Sequence, residues 1–204
     1  MGKVGMGVSM SLDGFIAGPN DSPERPLGDG GDVLFKWYSM GDTEGRVTSG
    51  DRELKMSSDS AERLKDATRS VGALVYGRRT FEIAGAWGGK HPMDVPMVIV
   101  THSVPQEWVK EGSPFTFVTD GVESAIEQAK QIAGDKDVVL GSASIVQQCI
   151  KLGLLDEIHI DLVPVLLGGG VSLFDHLGTE PIELESTGVT QAPGVTHLSF
   201  RVVK

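Results

Sequence analysis

Short apolar runs alternate with segments of helical periodicity along most of the chain. Five runs of mainly apolar residues predict β-strands at 4–10, 71–76, 96–101, 115–118 and 137–141. Three segments with apolar residues three or four positions apart predict helices at 60–70, 122–132 and 142–153. Because strands and helices alternate, the pattern indicates an α/β fold with a largely parallel sheet and right-handed crossovers.

The C-terminal quarter has a different pattern. Apolar and polar residues alternate at the start of 157–167, which predicts a further strand. Two strand-like runs within 182–203 are separated by glycine and proline and predict a closing antiparallel hairpin. Without an internal repeat or a linker-like break, we expect one domain over residues 1–204.

One long stretch lacks strand or helix periodicity. Residues 18–32 are rich in Gly, Pro and Asp, and apolar structure resumes directly after them at 33–38. Long structureless loops inside a compact domain are commonly functional. We therefore interpret this segment as a candidate lid over a binding site.

Composition and charge limit the classes of partner. The net charge of −10 disfavours nucleic acid, since such binding depends on Lys and Arg neutralising phosphates. The single cysteine excludes an intrachain disulfide and a multi-cysteine zinc site, and no metal site is predicted. The first residues lack a secretory pattern and no stretch suits a membrane span. We expect a cytoplasmic protein whose partners are a small-molecule substrate and, in a homodimer, a second copy.

Two predicted strand ends carry the chemistry of anion binding. Gly77 precedes Arg78, Arg79 and Thr80 at a helix start, where free amides and guanidinium groups can hold a phosphate. The small residues at 141–144 stand between another strand and helix, where amides could wrap a pyrophosphate. Either glycine alone could serve only its turn, but two such motifs at matching strand ends favour a dinucleotide. Neither the Rossmann nor the P-loop glycine pattern occurs.

Several segments together resemble a known family. These are MSLDGFIA, LVYGRRTFE, MVIVTHS, VVLGSAS and LDEIHIDLVPVLLGGGVSLF, in that order. They are similar to the dihydrofolate-reductase-like family, which includes the reductase domain of riboflavin-biosynthesis deaminase-reductases. The resemblance implies a three-layer fold, with a mixed and mainly parallel sheet, a C-terminal antiparallel hairpin and flanking helices. It also implies NADPH as hydride donor and a pterin-like or pyrimidine substrate.

The resemblance also implies roles for particular residues. Arg78 and Arg79 would hold the 2′-phosphate of NADPH, with Thr80 and the amides around Gly77 at the pyrophosphate. The remaining cofactor contacts would fall at three further strand ends. Those expected residues are Ser9, Ile16 and Ala17 for the nicotinamide, Thr101, His102 and Ser103 for the adenosine, and Gly141, Ser142, Ala143, Ser144 and Ile145 for the pyrophosphate.

The substrate half is less defined by the sequence. Asp32 stands about where dihydrofolate reductase has its substrate-binding carboxylate, although an exposed N-cap aspartate is the more ordinary interpretation. Asp161 shares a strand face with His159, so it either points into a pocket or lies at a solvated edge. These two aspartates are the candidate catalytic residues. Asp13 and Trp37 are the candidate substrate-binding residues, with a core position as the alternative for Trp37.

Three local expectations complete the sequence picture. Asp120 and Glu123 predict a capping arrangement before helix 122–132. Cys149 is expected to be a buried apolar residue. The three histidines without metal-ligand spacing are expected at the surface or in loops: His91, His176 and His197.

Three functions remain open at this point. A single cysteine cannot supply the zinc set of the deaminase half of the bifunctional enzyme, so deamination is excluded. The first hypothesis is an NADPH-dependent reductase of an imine or carbonyl in a pyrimidine or pterin-like heterocycle. The second is a dihydrofolate reductase, and the third is a non-catalytic nucleotide-binding module.

Overall fold

The computed structural model describes residues 2–45 and 54–204. Its strands are β1 (Val4–Ser11), β2 (Phe15–Ala17), β3 (Thr43–Gly45), β4 (Leu54–Met56), β5 (Val71–Gly77), β6 (Met97–Val100), β7 (Phe115–Val118), β8 (Asp137–Leu140), β9 (Glu157–Val163), β10 (Val171–Ser172), β11 (Leu184–Ala192) and β12 (Val195–Val202). Its α-helices are α1 (Ser58–Ser70), α2 (Arg78–Ile83), α3 (Val122–Ala133) and α4 (Ala143–Lys151). Three 3₁₀ helices span Gly31–Ser39, Gly85–Gly89 and Gln106–Trp108.

Eight strands form one sheet in the order β11-β12-β9-β1-β8-β5-β6-β7. The strands from β9 to β7 pair in parallel, whereas β12 pairs antiparallel with both β9 and β11. This confirms the mainly parallel sheet with a C-terminal antiparallel hairpin. The hairpin turns at Pro193 and Gly194, where Gly194 has a φ of 75° that suits glycine.

Helices cover both faces of the sheet and produce the expected three layers. On one face, α3 and α4 bury a core that includes Val4 and Met6 of β1 and Ile158 and Ile160 of β9. On the other face, α2 packs its Phe81 over β5, β6 and β7. The 3₁₀ helix Gly31–Ser39 forms a separate cluster with Met56 of β4 and residues at the ends of β9 and β12.

Three helix starts are defined by the residues that precede them. Ser57 caps α1, because its hydroxyl accepts a hydrogen bond from the Ser60 amide at 3.3 Å. α2 begins at Arg78 directly after Gly77, as predicted. The capping arrangement expected at Asp120 is wrong: Gly121 is the N-cap of α3, and among the described residues no side chain caps it.

The stretch predicted as a lid is a loop that closes on itself. Gly18 donates to the Leu27 carbonyl at 2.8 Å, and Asp29 donates to the Pro19 carbonyl at 2.7 Å. Gly18 permits this closure, because a Cβ there would lie 2.0 Å from the Asp29 carbonyl oxygen. Its role as a lid stays a prediction. No helix of the described part of the chain could cross a membrane.

Candidate functional site

A cavity of about 660 Å³ lies on the sheet face opposite α3 and α4. The 3₁₀ helix Gly31–Ser39 and α1 form one wall, and residues 91–93 contribute to the other. β1 and β8 form the floor, with Gly5, Gly7 and Val139. Successive residues of a strand face opposite sides, so the same stretch of β1 sends Val4 and Met6 into the core and Gly5 and Gly7 to the cavity.

The two floor glycines are not required by backbone packing. A Cβ at Gly7 would meet nothing nearer than the His159 Cβ at 3.9 Å, and one at Gly5 would meet Glu157 atoms at 3.8 Å and beyond. Glycine in a strand interior costs about 0.5–1 kcal/mol relative to alanine. The two glycines therefore shape the cavity, because they keep the part of its floor that β1 forms flat and free of side chains.

Polar residues from three separate elements meet on the α1 side of the cavity. His197 of β12 contacts the Asp161 carboxylate through Nδ1 at 2.6 Å and the Ser60 hydroxyl through Nε2 at 2.8 Å. Ser57 in turn donates to the Ser60 hydroxyl at 2.9 Å. Ser60 and His197 are only 2% and 1% exposed, whereas the Asp161 side chain is 21% exposed and lines the cavity. Of the two interpretations of Asp161, the structure supports the pocket.

Arg63, Tyr38 and His159 lie close to Asp161 and affect the electrostatics of this wall. The Arg63 guanidinium lies 3.8 Å from the carboxylate and donates to Ser199 at 3.1 Å. Burial raises the pKa of the Tyr38 phenol, and the charge of Asp161 raises it further. Burial lowers the pKa of His159, and the nearby Arg63 lowers it further. This part of the cavity wall is thus a polar surface built around the Asp161 carboxylate.

An aromatic cluster adjoins the opposite wall, which its His91 lines. Tyr76 packs edge-on against Trp87 with ring centroids 4.8 Å apart, and His91 packs against both rings. Burial raises the pKa of Tyr76 to about 12 and lowers the pKa of His91 to about 4. His91 Nδ1 accepts the Met93 amide at 3.2 Å, so this buried ring is neutral and carries its proton on Nε2.

A second cavity, of about 490 Å³, opens at the carboxyl ends of β5, β6 and β7. Its lining includes Arg78, Ser144 and the segment 101–103, all predicted for the cofactor. The first turns of α3 and α4 also line it, and helix N-termini attract anions. Arg78 donates to the Ser103 carbonyl at 3.0 Å and pairs with Glu82. These residues fit the phosphate groups of a dinucleotide.

Ser142 connects the two predicted phosphate-binding motifs. Its buried hydroxyl accepts the Gly77 amide at 2.9 Å and donates to the Thr80 hydroxyl at 2.9 Å. Gly141 allows β5 to lie close, because a Cβ there would fall 2.0 Å from the Tyr76 ring. The segments at 77–80 and 141–145 therefore meet in space as the sequence predicts, through this one side chain.

The two arginines of the motif go to different places. Arg78 lines the second cavity, whereas Arg79 donates to the Asp21 carboxylate at 2.7 Å in the loop after β2. Gly77, Thr101, His102, Ser103, Ser144 and Ile145 also line the second cavity. Thr80, Gly141, Ser142 and Ala143 support it from behind rather than lining it.

The residues expected to hold the nicotinamide and the substrate are dispersed. Ile16 and Ala17 lie in β2 and line neither cavity, whereas Ser9 lines the first cavity and accepts a hydrogen bond from Trp37 at 3.1 Å. Trp37 is buried and also lines the first cavity, so it serves both the core and the pocket. Asp13 lies outside both cavities.

The Asp13 carboxylate has a structural role instead. It accepts the Ser11 hydroxyl at 2.6 Å and the amides of Leu167 and Gly168 at 3.1 and 2.7 Å. The Ser11 hydrogen bond is the main cause that holds the pKa of Asp13 below its ordinary value. Asp13 thereby connects the end of β1 to the triple-glycine segment 168–170.

Asp32 lacks the position that a substrate-binding carboxylate needs. It is exposed, lies in the first turn of the 3₁₀ helix and lines neither cavity. Gly30 is the N-cap of that helix, so the N-cap interpretation of Asp32 is also wrong.

The structure tests the surface or loop positions expected for three histidines. His197 is buried in β12, so the expectation of a surface or loop position is wrong for it. His91 lies in a loop but is buried, and His176 is exposed. Ser60 was not recognised either. Cys149 is buried as predicted, and burial raises its pKa to about 12.

Comparisons with known proteins agree with this architecture. Residues 3–198 match the family described as the RibD C-terminal domain. The chain is 28% identical over 135 residues to the uncharacterised protein YwjB of Bacillus subtilis, covering 66% of this chain and 76% of YwjB. It is 23% identical to the uncharacterised protein YyaP of the same species, covering 84% and 80%.

Solved structures share the fold at lower identity. A putative riboflavin biosynthesis protein from Shewanella sp. PV-4 superposes with a TM-score of 0.69 at 20% identity, covering 100% of both chains. A deaminase and 5-amino-6-(5-phosphoribosylamino)uracil reductase from Thermotoga maritima gives 0.60 at 13% identity, covering 99% of this chain. The match spans 57% of that longer enzyme. These likenesses show the fold.

Proposed function

Since the chain belongs to the RibD C-terminal domain family, we propose that it is an NADPH-dependent reductase of an imine or carbonyl group in a pyrimidine-like heterocycle, of the riboflavin-biosynthesis type. The observation that carries the proposal is the first cavity. It combines a glycine floor, on which a planar ring can lie, with the Asp161 carboxylate, which is held by buried His197, at its wall.

The second cavity supports the cofactor part of the proposal. Arg78 would hold the 2′-phosphate, and the amides at the starts of α3 and α4 would receive the remaining phosphate charge. A bound NADPH would supply the hydride. Val139 lines the first cavity and Ser144, five residues further along the chain, lines the second, so the two sites share one strand-helix unit.

The first cavity supports the substrate part. Trp37 and Tyr38 offer aromatic surface, and the Asp161 carboxylate can accept a ring or amino N–H. When a hydride reaches the carbon of a C=N or C=O group, the neighbouring nitrogen or oxygen takes up one proton. Asp161 is proposed to deliver that proton, because its carboxylate lines the cavity, is 21% exposed and contacts the buried His197 at 2.6 Å.

The other two hypotheses receive less support. A dihydrofolate reductase needs an enclosed carboxylate at the first helix, and Asp32 is exposed there. A module that had lost its chemistry would not need to keep an enclosed, hydrogen-bonded carboxylate beside a glycine floor.

The test is NADPH oxidation by the purified chain, followed at 340 nm. The panel is 5-amino-6-(5-phosphoribosylamino)uracil, its dephosphorylated form and dihydrofolate. We expect turnover with one of the aminouracils and little with dihydrofolate. Efficient reduction of dihydrofolate alone would contradict the proposed substrate, and tight NADPH binding without turnover on any compound would favour the non-catalytic module.

A further inference from the structure

We propose that Ser57, Ser60 and His197 form a proton relay that connects solvent at the start of α1 to Asp161 in the cavity. The chain Ser57–Ser60–His197–Asp161 is continuous, with contacts of 2.9, 2.8 and 2.6 Å. It crosses from α1 to β12 to β9, which are far apart in sequence. The inference rests on the proposed reductase function, for which it supplies the route of the proton.

Hydrogen-bond chemistry gives the relay a direction. An ionised Asp161 can only accept, so the shared proton lies on His197 Nδ1. In a neutral imidazole Nε2 is then an acceptor, and the Ser60 hydroxyl donates to it. The Ser60 oxygen is left to accept, and Ser57 donates to it. All three hydrogen bonds therefore point towards Asp161.

Burial separates the ends of the relay from its middle. Ser60 and His197 are 2% and 1% exposed, so the two inner groups exchange protons with their relay neighbours rather than with bulk water. Ser57 is half-buried and Asp161 is partly open to the cavity. The edge of the Trp37 ring lies against His197, with centroids 5.3 Å apart, and covers part of the imidazole, which also lines the cavity.

The proton balance closes over one turnover. A bound dinucleotide would supply the hydride, and the substrate nitrogen or oxygen takes the proton that Asp161 has received through the relay. Asp161 receives the Nδ1 proton of His197, Nε2 receives the Ser60 proton, Ser60 receives that of Ser57, and Ser57 takes one from solvent. One proton enters at Ser57 for each one that reaches the substrate. The relay resets when the imidazole turns about its Cβ–Cγ bond, which presents its protonated nitrogen to Asp161 again, and when the two serine hydroxyl groups rotate back.

Other charged and titratable groups lie around Asp161. Arg63 of α1 lies 3.8 Å from Asp161, and Tyr38 of the 3₁₀ helix lies close enough for the Asp161 charge to raise its pKa. His159, on the same strand as Asp161, contacts Ser199 at 3.0 Å rather than Asp161. The raised pKa keeps the Tyr38 phenol protonated.

The first experiment needs no substrate. Protein labelled with ¹⁵N-histidine is examined by NMR, and His197 is assigned by comparison with His197→Gln. We expect neutral His197 to carry its proton on Nδ1, with a far-downfield proton resonance, and Ser60→Ala to shift the Nε2 signal. A proton on Nε2 with a bare Nδ1 in the wild type would overturn the relay.

The second experiment separates relay from structure at Ser57. Asparagine is as good an N-cap as serine but has no hydroxyl, so Ser57→Asn keeps the cap and breaks the relay. We expect kcat on the best aminouracil of the panel to fall about tenfold, with KM within about twofold, as a lost part of acid catalysis. Ser57→Thr should restore kcat, and Ser58→Ala, at the exposed neighbouring position, should leave it unchanged.

The same variants are also compared by the pH dependence of kcat. We expect Ser60→Ala to lower kcat by about tenfold and to enlarge the loss at high pH, where solvent protons are scarce. Values of kcat for Ser57→Asn and Ser60→Ala equal to that of Ser58→Ala across pH would overturn the relay. The Nδ1–H tautomer together with no wild-type turnover on the whole panel would instead overturn the reductase function and leave the hydrogen-bonded chain intact.

Discussion

The two cavities differ in how the chain builds them. The second cavity is made of contiguous segments at the ends of strands, such as 77–78 and 101–103, where one short motif supplies a glycine, a charge and an amide together. The first cavity is made of alternate residues from strands that are distant in sequence, such as Ser9, Asp161 and His197. The chemistry proposed for the cofactor therefore lies in local motifs, and the chemistry proposed for the substrate lies on a sheet face that only the topology assembles.

The largest expected effect is at the carboxylate of the first cavity. Asp161→Asn keeps the shape and an acceptor for His197 but removes the acid, so we expect kcat to fall about 100-fold. KM for NADPH should change by less than about twofold. Asp66→Asn, on α1 at the same cavity, is the matched control and should retain activity. Steady-state kinetics decide, and a kcat within threefold of wild type would remove Asp161 from the chemistry.

The next effect tests the second cavity and separates its two arginines. Arg78→Ala should weaken NADPH binding by about 1.5–3 kcal/mol, the usual value of a charged hydrogen bond, and NADH binding little. Arg79→Ala should leave both affinities nearly unchanged, because Arg79 binds Asp21 instead. Calorimetric titration of the three proteins with both nucleotides measures this. An equal loss in both variants would mean that the Arg79–Asp21 contact opens when the cofactor binds.

Two glycines sharpen the contrast between packing and function. Gly141→Ala should destabilise the fold by about 1–3 kcal/mol, since its Cβ would overlap the buried Tyr76 ring. Gly7→Ala should keep or slightly raise stability, yet raise the substrate KM about tenfold by placing a methyl on the cavity floor. Urea denaturation and kinetics on both variants provide the comparison. A Gly7→Ala protein with unchanged KM would show that the floor does not touch the substrate.

The last prediction concerns the pH dependence of stability at His91, in the aromatic cluster beside the first cavity. The pKa of His91 falls to about 4 on folding, from about 6.5 in the unfolded chain, so the unfolded state binds the proton first. The stability from neutral His91 is complete above about pH 6.5 and decreases by about 2 kcal/mol towards pH 5. His91→Asn keeps an acceptor for Met93 and should remove most of that slope in urea denaturation. An identical slope in the variant would assign the acid sensitivity elsewhere.

The sequence allowed the fold and half of the site to be predicted for identifiable reasons. Strands such as Val71–Gly77 are continuous apolar runs that sequence alone can identify. Gly77 followed by Arg78 indicates the turn from this strand into the next helix. His197 could not be assigned because its partners, Asp161 and Ser60, are 36 and 137 residues away. The contact between His197 and Asp161 follows from the antiparallel pairing of β12 with β9, in which these two residues lie opposite each other.

The errors in the prediction have the same origin. Asp13 and Asp32 were selected because they stand near family motifs, but one is used by the Leu167 and Gly168 amides and the other is exposed. Position along the chain does not tell which way a carboxylate points. The register of neighbouring strands does, because it fixes the face of each alternate residue.

The central claim is that the two cavities act on one reaction, with hydride from the cofactor side and a proton from the substrate side. The most direct measurement is mass spectrometry of the product formed with NADPH deuterated at the transferred position of its nicotinamide ring. The account predicts one carbon-bound deuterium in the reduced aminouracil, with the second hydrogen exchanged from solvent. NADPH oxidation that leaves no deuterium in the heterocyclic product would contradict it.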